Sequence, residues 1–234
     1  MSRLRQCAIL VGGSGSRLGS LTRDMPKPML PVAGRPFLQH LIDKAHRHGF
    51  GSILLLAGFR ADIIEAYVAS LQPEDHHGLE IAISVETAPL GTAGALAQAR
   101  EKLDETFLLV NGDTWFDFDW AALSTSREWP ATLALRQIPL ADRYETIVLE
   151  GESVTAFQPR GLAPTLPGLI NGGAYRLQRS IIPTAIAPSS LENDILPGLC
   201  RTGQLGGQVF EGDFIDIGVP ESFAEAQGLL ASRA

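Results

Sequence analysis

Apolar and polar positions fall into two regimes along the chain. Up to Asp113, short unbroken apolar runs ("QCAILVGG", "GSILLLAGF", "LEIAISVE" and "TFLLVNGD") alternate with stretches of helical periodicity. Unbroken runs of this length predict strands buried on both faces. In "PFLQHLIDKAHRHGF", Phe37, Leu38, Leu41, Ile42 and Ala45 share one helical face, and Gly49 marks the end. "ADIIEAYVASL", with Asp62 near its start, and "TAGALAQAREKL" predict two more helices. Alternating strands and helices predict a parallel sheet covered on both faces.

Beyond Asp113 the pattern changes. "ATLALRQI", "TIVLEG", "SVTAFQP" and "LINGGAYRL" read as strands separated by turns. "ENDILPGLCRTG" predicts a short helix, and "GGQVFEGDFIDI" a late strand pair. "PESFAEAQGLLAS" predicts a C-terminal helix with Pro220 at its start. The most loop-like segment is "RGLAPTLPG", residues 160–168. Neither an internal repeat nor a low-complexity linker divides the chain, so one α/β domain over 1–234 is expected.

Composition narrows the class. Of 234 residues, 45% are hydrophobic and 19% charged, enough for a sizeable core and unlike a disordered chain. The net charge of −7 argues against a general nucleic-acid binder, yet permits a local cationic site for a small anion. Cys7 and Cys200 make no disulfide framework and read as small hydrophobes. The apolar run after Arg3 and Arg5 is too short for a signal peptide, and no run approaches the ~20 residues of a membrane span. The expectation is a cytoplasmic protein without membrane contact.

Chemistry first surfaces in "ILVGGSGSRLG", residues 9–19, where a strand meets a Gly-rich turn. The P-loop pattern G-x-x-x-x-G-K-S/T is absent, since no Gly-Lys pair follows. The dinucleotide pattern G-x-G-x-x-G misses by one residue, and the proline-rich "SLTRDMPKPMLPVAGRP" replaces the helix it requires. A polyphosphate wrapped by the amides of Gly12, Gly13, Ser14 and Gly15 would need counter-charge. Arg17 could meet it through a bidentate fork, and Lys27, stiffened by Pro26 and Pro28, as a point charge. Taken singly, either cation reads equally well as a surface charge.

Five ordered motifs add specificity. "LVGGSGSRLGSLTRDMPKPMLPVAGRPFLQHLI" resembles the opening signature of the sugar-1-phosphate nucleotidyltransferases, G-G-x-G-S/T-R-L followed by P-K-P and an apolar pair. "ETAPLGTAGAL", "LVNGD", "LINGGAY" and "FIDIGVPESF" continue the resemblance in the family's order over almost the whole chain. Within the family, "GDTWFDFD" and "GLINGGAY…SLENDILP…FIDIGVPE" are most similar to D-glycero-D-manno-heptose 1-phosphate guanylyltransferases.

The resemblance implies a mixed, mostly parallel Rossmann-like sheet flanked by helices. Residues 1–120 would bind nucleotide, and 121–234 would form a small β-rich part for the sugar phosphate. The implied reaction joins an NTP and a sugar 1-phosphate into an NDP-sugar and pyrophosphate. The attacking phosphate monoester has its second pKa near ~6, so no general base is needed. Alignment and charge neutralisation suffice, and no histidine or cysteine nucleophile constellation is required. His46 and His48 do not share a helical face, and His76–His77 read as a polar loop.

Residue by residue, the resemblance assigns Arg17, Lys27 and Asp113 to catalysis. It places the nucleotide against Leu10, Gly12, Gly13, Ser14, Gly15, Glu86, Leu90, Gly91 and Thr92. Glu86 suits guanine, whose edge offers adjacent N–H donors, and reads equally well as an exposed glutamate at a strand end. Asp113 stands at the end of an apolar strand, where open α/β sheets bind ligands, and Asp216 sits inside "FIDIGV". On spacing alone, a turn-forming Asp113 and a salt-bridged Asp216 are open alternatives. By resemblance the two hold Mg²⁺, which takes few carboxylates and keeps several waters.

On the sugar side the resemblance points to Asn171 and Gly172, with Glu192 and Asn193 binding hydroxyls or starting a helix. One departure stands out. Where the family commonly has F-x-E-K, this chain has "FQPR". Arg160 can replace the lysine as a phosphate ligand, whereas Pro159 cannot replace the glutamate. Gln158 or Glu192 would have to supply that contact. The same reaction with UTP and N-acetylmuramate 1-phosphate is a rival reading, as is a nucleotide-sugar-binding regulator without turnover. Arg17, Lys27, Asp113 and Asp216 weigh against the latter. A homo-oligomer is compatible with the sequence.

Overall fold

The structure is a computed structural model that describes residues 4–124, 129–139, 144–161 and 167–232. The chain opens with β1 (Gln6–Leu10), the two-residue strands β2 (Pro31–Val32) and β3 (Arg35–Pro36), and α1 (Phe37–Arg47). Then come β4 (Ser52–Ala57), α2 (Ala61–Ser70), α3 (Pro73–His76), β5 (Glu80–Val85) and α4 (Gly91–Gln98). β6 (Thr106–Asn111) and β7 (Thr114–Phe116) flank the Gly112–Asp113 turn. The second half holds β8 (Ala131–Ile138), β9 (Thr146–Glu150), β10 (Ser153–Gln158) and β11 (Gly168–Gln178). It closes with α5 (Leu196–Arg201), β12 (Leu205–Phe210), β13 (Phe214–Asp216) and α6 (Pro220–Ala231).

Nine strands form one sheet in the order β5-β4-β1-β6-β11-β8-β12-β10-β9. The first four run parallel, as their unbroken apolar runs predict, but β5, at the edge of the sheet, is not buried on both faces, since Glu80, Ala82 and Val85 are exposed. β11 is antiparallel to both β6 and β8, while β12 runs parallel to β8. Alternate residues serve opposite faces: Cys7, Ile9, Leu55 and Leu108 join one apolar cluster, and Ala8, Leu54, Leu56 and Leu109 the other. Helices α1, α2 and α6 contribute to the first cluster and α4 and α5 to the second, so both faces are covered.

From β1, the sheet continues to β4 on one side and to β6 on the other. The loops leaving the carboxyl ends of these strands diverge there and open a crevice, the usual ligand position in such sheets.

Three elements depart from expectation. β12 and β13 are not partners, because β12 joins the main sheet while β13 pairs with β7 in a separate ribbon. His76 ends the one-turn helix α3, and the His77 ring stacks on His46 with centroids 4.4 Å apart. The helix ending in α5 begins with a π-turn, Leu191–Ile195, capped by Ser190 and not by Asn193. Within the expected loop 160–168, residues 162–166 lie outside the described residues, and β11 already begins at Gly168.

Candidate active site

A cavity of about 610 Å³ fills the crevice. Its floor comes from the turns after β1 and β6. The N–H of Gly112 donates to the Leu10 carbonyl at 3.0 Å, drawing the two turns together. A Cβ on residue 112 would lie 2.3 Å from that oxygen, so glycine is required for this approach. Gly12, Gly13 and Ser14 line the cavity beside Lys27, Pro28, Asn111 and Asp113.

Lys27 is 7% exposed. Its Nζ donates to Asp113 Oδ2 at 2.7 Å, and Pro26 and Pro28 flank it on a short 3₁₀ turn. Buried ammonium groups need such a partner. Gly15 adopts a positive φ of 63°, and the Thr22 hydroxyl donates to its carbonyl at 2.9 Å, folding this loop back towards Lys27.

Asp216 comes to the same place from the far end of the chain. Thr114 pairs with Asp216 across the β7–β13 ribbon, and the N–H of Ile217 donates to the Asp113 carbonyl at 2.9 Å. Burial raises the Asp216 pKa, and the charge of Asp113 raises it further, against opposing influences from Lys27, the Gly218 N–H and Arg17. The Gly218 N–H donates to Asp216 Oδ1 at 2.5 Å. A Cβ on Gly218 would meet both that oxygen, at 2.6 Å, and Arg17 Nη2, at 2.9 Å. Arg17 therefore lies beside Asp216, although it does not line the cavity.

The donor set suits a hard divalent cation. Two carboxylates repel each other here, and both present oxygen ligands to one region. No group of three or more His, Cys, Asp or Glu converges among the described residues. Two carboxylates, with waters and phosphate oxygens, match the sparse protein ligation that Mg²⁺ accepts.

The opposite wall carries Glu86. Its Oε2 accepts the Leu90 N–H at 3.0 Å, and its side chain lies over Gly58, where a Cβ would come within 2.2 Å of Oε1. Burial raises its pKa, and the Leu90 N–H opposes this. Thr87, Ala88 and Pro89 complete this wall.

At one margin, Glu192 joins distant parts of the chain. Its Oε2 accepts the Thr92 hydroxyl at 2.7 Å and the Ser190 hydroxyl at 3.1 Å, and its Oε1 accepts the Tyr175 hydroxyl at 3.3 Å. Thr92 in turn accepts the Leu191 N–H at 2.7 Å. Asn171 Nδ2 donates to the Tyr175 oxygen at 2.9 Å, and the Asn111 amide also bonds that hydroxyl. The Tyr175 pKa is raised well above its ordinary value, by burial first and by Glu192 second.

Of the residues singled out in the sequence, Leu10, Gly12, Gly13, Ser14, Lys27, Glu86, Gly91, Thr92, Asp113 and Glu192 line this one cavity. Thr92 does so with its hydroxyl committed to Glu192 and Leu191. Gly15, Leu90 and Asp216 support its walls. The rest are placed differently. Asn171 spends its amide on Tyr175 and on the Gly173 N–H. Gly172 makes its close approach to the Phe116 ring, 2.6 Å from where a Cβ would sit, and not to the cavity. Asn193 is exposed, and its backbone N–H is the one that Ser190 caps. Arg160 is exposed just past β10, and no ion pair holds it among the described residues. Sequence reasoning missed Asn111, Tyr175 and Gly58. The first two lie inside the quoted motifs "LVNGD" and "LINGGAY", whereas only the tertiary fold brings Gly58 under Glu86.

Comparison with known proteins decides the family. The model of the nucleotidyl transferase family matches residues 7–233. The chain belongs to this family. This nucleotidyltransferase is 33% identical over 228 residues to a D-glycero-alpha-D-manno-heptose 1-phosphate guanylyltransferase of Aneurinibacillus thermoaerophilus, covering 95% of this chain and 96% of that protein. A Campylobacter jejuni protein of the same name is 33% identical over 220 residues, covering 93% and 96%. A mannose-1-phosphate guanylyltransferase catalytic subunit beta of Xenopus tropicalis is 30% identical over 92% of this chain but only 61% of its own length.

Among solved structures, HddC from Yersinia pseudotuberculosis superposes with a TM-score of 0.86 at 29% identity, covering 97% of this chain and all of that one. The same protein complexed with GMP-PN gives 0.84. The nucleotidyltransferase described here is thus an enzyme of the class that transfers a nucleotidyl group to a sugar phosphate, with the fold of the nucleotide-diphospho-sugar transferases. Such enzymes generally use a divalent metal.

Proposed function

We propose that this nucleotidyltransferase converts GTP and D-glycero-D-manno-heptose 1-phosphate into GDP-heptose and pyrophosphate. The observation that carries the reading is one cavity lined at once by Gly12–Ser14, Lys27, Asp113 and Glu86. The Aneurinibacillus thermoaerophilus and Campylobacter jejuni heptose 1-phosphate guanylyltransferases match over nearly their whole length, whereas the Xenopus tropicalis mannose-1-phosphate enzyme matches over only 61% of its own, which supports the heptose over mannose. Glu86 supports guanine over uracil, because guanine offers two adjacent N–H donors to a carboxylate and uracil only one.

In this reading the amides of Gly12, Gly13 and Ser14 wrap the triphosphate, while Lys27 and Arg17 neutralise it. Asp113 and Asp216 would hold the divalent cation, proposed as Mg²⁺, which when bound supplies charge neutralisation at the reacting phosphates. Arg160 is assigned the sugar phosphate and Glu192 the sugar hydroxyls, replacing the glutamate missing from "FQPR". The attacking phosphate is already ionised, so the chain's contribution is alignment and preorganised charge.

The test is pyrophosphate release across four NTPs and a panel of sugar 1-phosphates that includes heptose, mannose and N-acetylmuramate. GTP with the heptose should give the highest kcat/KM, and Glu86→Gln should erode the preference for GTP over UTP. A native preference for UTP would overturn the base assignment. Nucleotide binding without release from any pair would favour a regulator.

A further inference from the structure

We infer that Lys44, remote in sequence from every residue assigned above, is a positioning residue that anchors the ribbon carrying Asp113 and Asp216. The inference rests on the metal reading of those two aspartates.

Lys44 lies on the core side of α1 and is 1% exposed, a costly place for an ammonium group. Its Nζ donates to the Phe116 carbonyl at 2.6 Å and sits 3.2 Å from Asp117 Oδ1. Aromatic faces surround it, with the Trp115 ring centroid at 4.4 Å and the Trp120 centroid at 5.3 Å. These contacts hold a cation in a site that apolar residues alone would fill at less cost.

What they hold is the end of β7. That strand belongs to no larger sheet, and its only strand partner among the described residues is the three-residue β13. A two-stranded ribbon is marginal on its own and needs external anchorage. The ribbon's one end is Asp113 and Asp216, joined through Thr114 opposite Asp216 and the Ile217 N–H on the Asp113 carbonyl. Its other end is Phe116 opposite Phe214, with the Asp117 N–H donating to the Asp213 carbonyl at 2.8 Å. Lys44 grips that second end at Phe116 and Asp117, and Gly172 of β11 admits the Phe116 ring from the other side. The strands are short, so a shift at Phe116 is transmitted to Asp113 and Asp216. Geometry at a reacting centre is sensitive to displacements of an ångström.

The experiment compares Lys44→Met, the double variant Lys44→Met with Asp117→Asn, and Asp216→Asn with the unaltered enzyme. The double variant removes the cation together with the negative charge of Asp117, so the charge balance at this end of the ribbon is kept. Mn²⁺ binding is read by electron paramagnetic resonance in the presence of a non-hydrolysable GTP analogue. It is accompanied by thermal melts and by kcat and KM at graded Mg²⁺.

The double variant should melt cooperatively, bind Mn²⁺ about tenfold more weakly, and lose kcat with little change in GTP KM. Excess Mg²⁺ should restore part of that kcat. A lowered Tm with unaltered Mn²⁺ affinity and kcat would overturn the positioning role, provided Asp216→Asn has lost Mn²⁺. Mn²⁺ binding that survives in Asp216→Asn would overturn the metal reading itself, and the role of Lys44 with it.

Discussion

The ammonium of Lys27 lies 2.7 Å from the Asp113 carboxylate, across 86 residues of sequence. One group is assigned to the triphosphate and the other to the metal, and each compensates the other's burial before any substrate arrives. Asp113→Asn and Asp216→Asn should each lower kcat by about two orders of magnitude or more, since each removes charge from the cation's site. Pyrophosphate release over a Mg²⁺ titration measures this. Near-normal kcat for both variants at limiting Mg²⁺ would remove the assignment.

Gly218 gives access to Arg17. A methyl group there would collide with Arg17 Nη2 and Asp216 Oδ1 together. Gly218→Ala should cut kcat at least about tenfold by displacing both groups. Arg17→Ala should weaken GTP binding far more than GMP binding, since its charge is assigned to the leaving pyrophosphate. Calorimetric titration with the two nucleotides separates the cases, and equal losses would place Arg17 elsewhere.

Arg160 is exposed, and no ion pair among the described residues holds it away from an incoming phosphate. Its loss should cost about 1.5–3 kcal/mol of sugar-phosphate binding. That corresponds to a roughly tenfold to hundredfold rise in the sugar 1-phosphate KM, with the nucleotide KM unchanged. Arg160→Lys should recover much of the difference, since a point charge still reaches phosphate. An unchanged sugar KM in Arg160→Ala would return this residue to solvent.

Thr92 presents Glu192 through a 2.7 Å hydrogen bond. Thr92→Val should leave that carboxylate poorly held and raise the sugar KM about tenfold, with less than about twofold change for GTP. Steady-state kinetics with both substrates varied would show it. A larger effect on GTP than on the sugar would make Thr92 a nucleotide ligand first.

His48 makes stability sensitive to acid. The Trp120 backbone N–H donates to His48 Nδ1 at 3.0 Å, which requires that nitrogen unprotonated. Burial, and secondarily Lys44, lower the His48 pKa from 6.5 to about 4. Between these values the unfolded chain binds more protons than the folded one, so stability rises with pH. The contribution is complete above about pH 6.5 and is lost as pH falls towards about 4. Because His48 is only half-buried, the effect is smaller than the full shift implies. The urea midpoint should fall from pH 7 to pH 5 by more in the native protein than in His48→Gln, and equal falls would discard this role.

The chain's own pattern determined the first half of the fold and the family. Unbroken apolar runs set β1, β4 and β6, because strands buried on both faces tolerate little polarity; the run of β5 also marked a strand, but at the edge of the sheet it leaves Glu80, Ala82 and Val85 exposed. The order of five motifs set the reaction class, and the same resemblance nominated Arg17, Lys27, Asp113 and Asp216 for its chemistry. Partnership at a distance is what local pattern could not express. "GGQVFEGDFIDI" carries two strands, but nothing in it sends β12 to β8 and β13 to β7. Nor could local pattern show that the Thr92 hydroxyl, at the cavity wall, is bonded to Glu192 and Leu191, or that the Asn171 amide is bonded to Tyr175. Lys44 reads in sequence as an ordinary helix cation, because solvation favours lysine at the surface. Only the packing of α1 against β7 takes it out of water and gives it Phe116, Asp117 and two tryptophan rings in exchange.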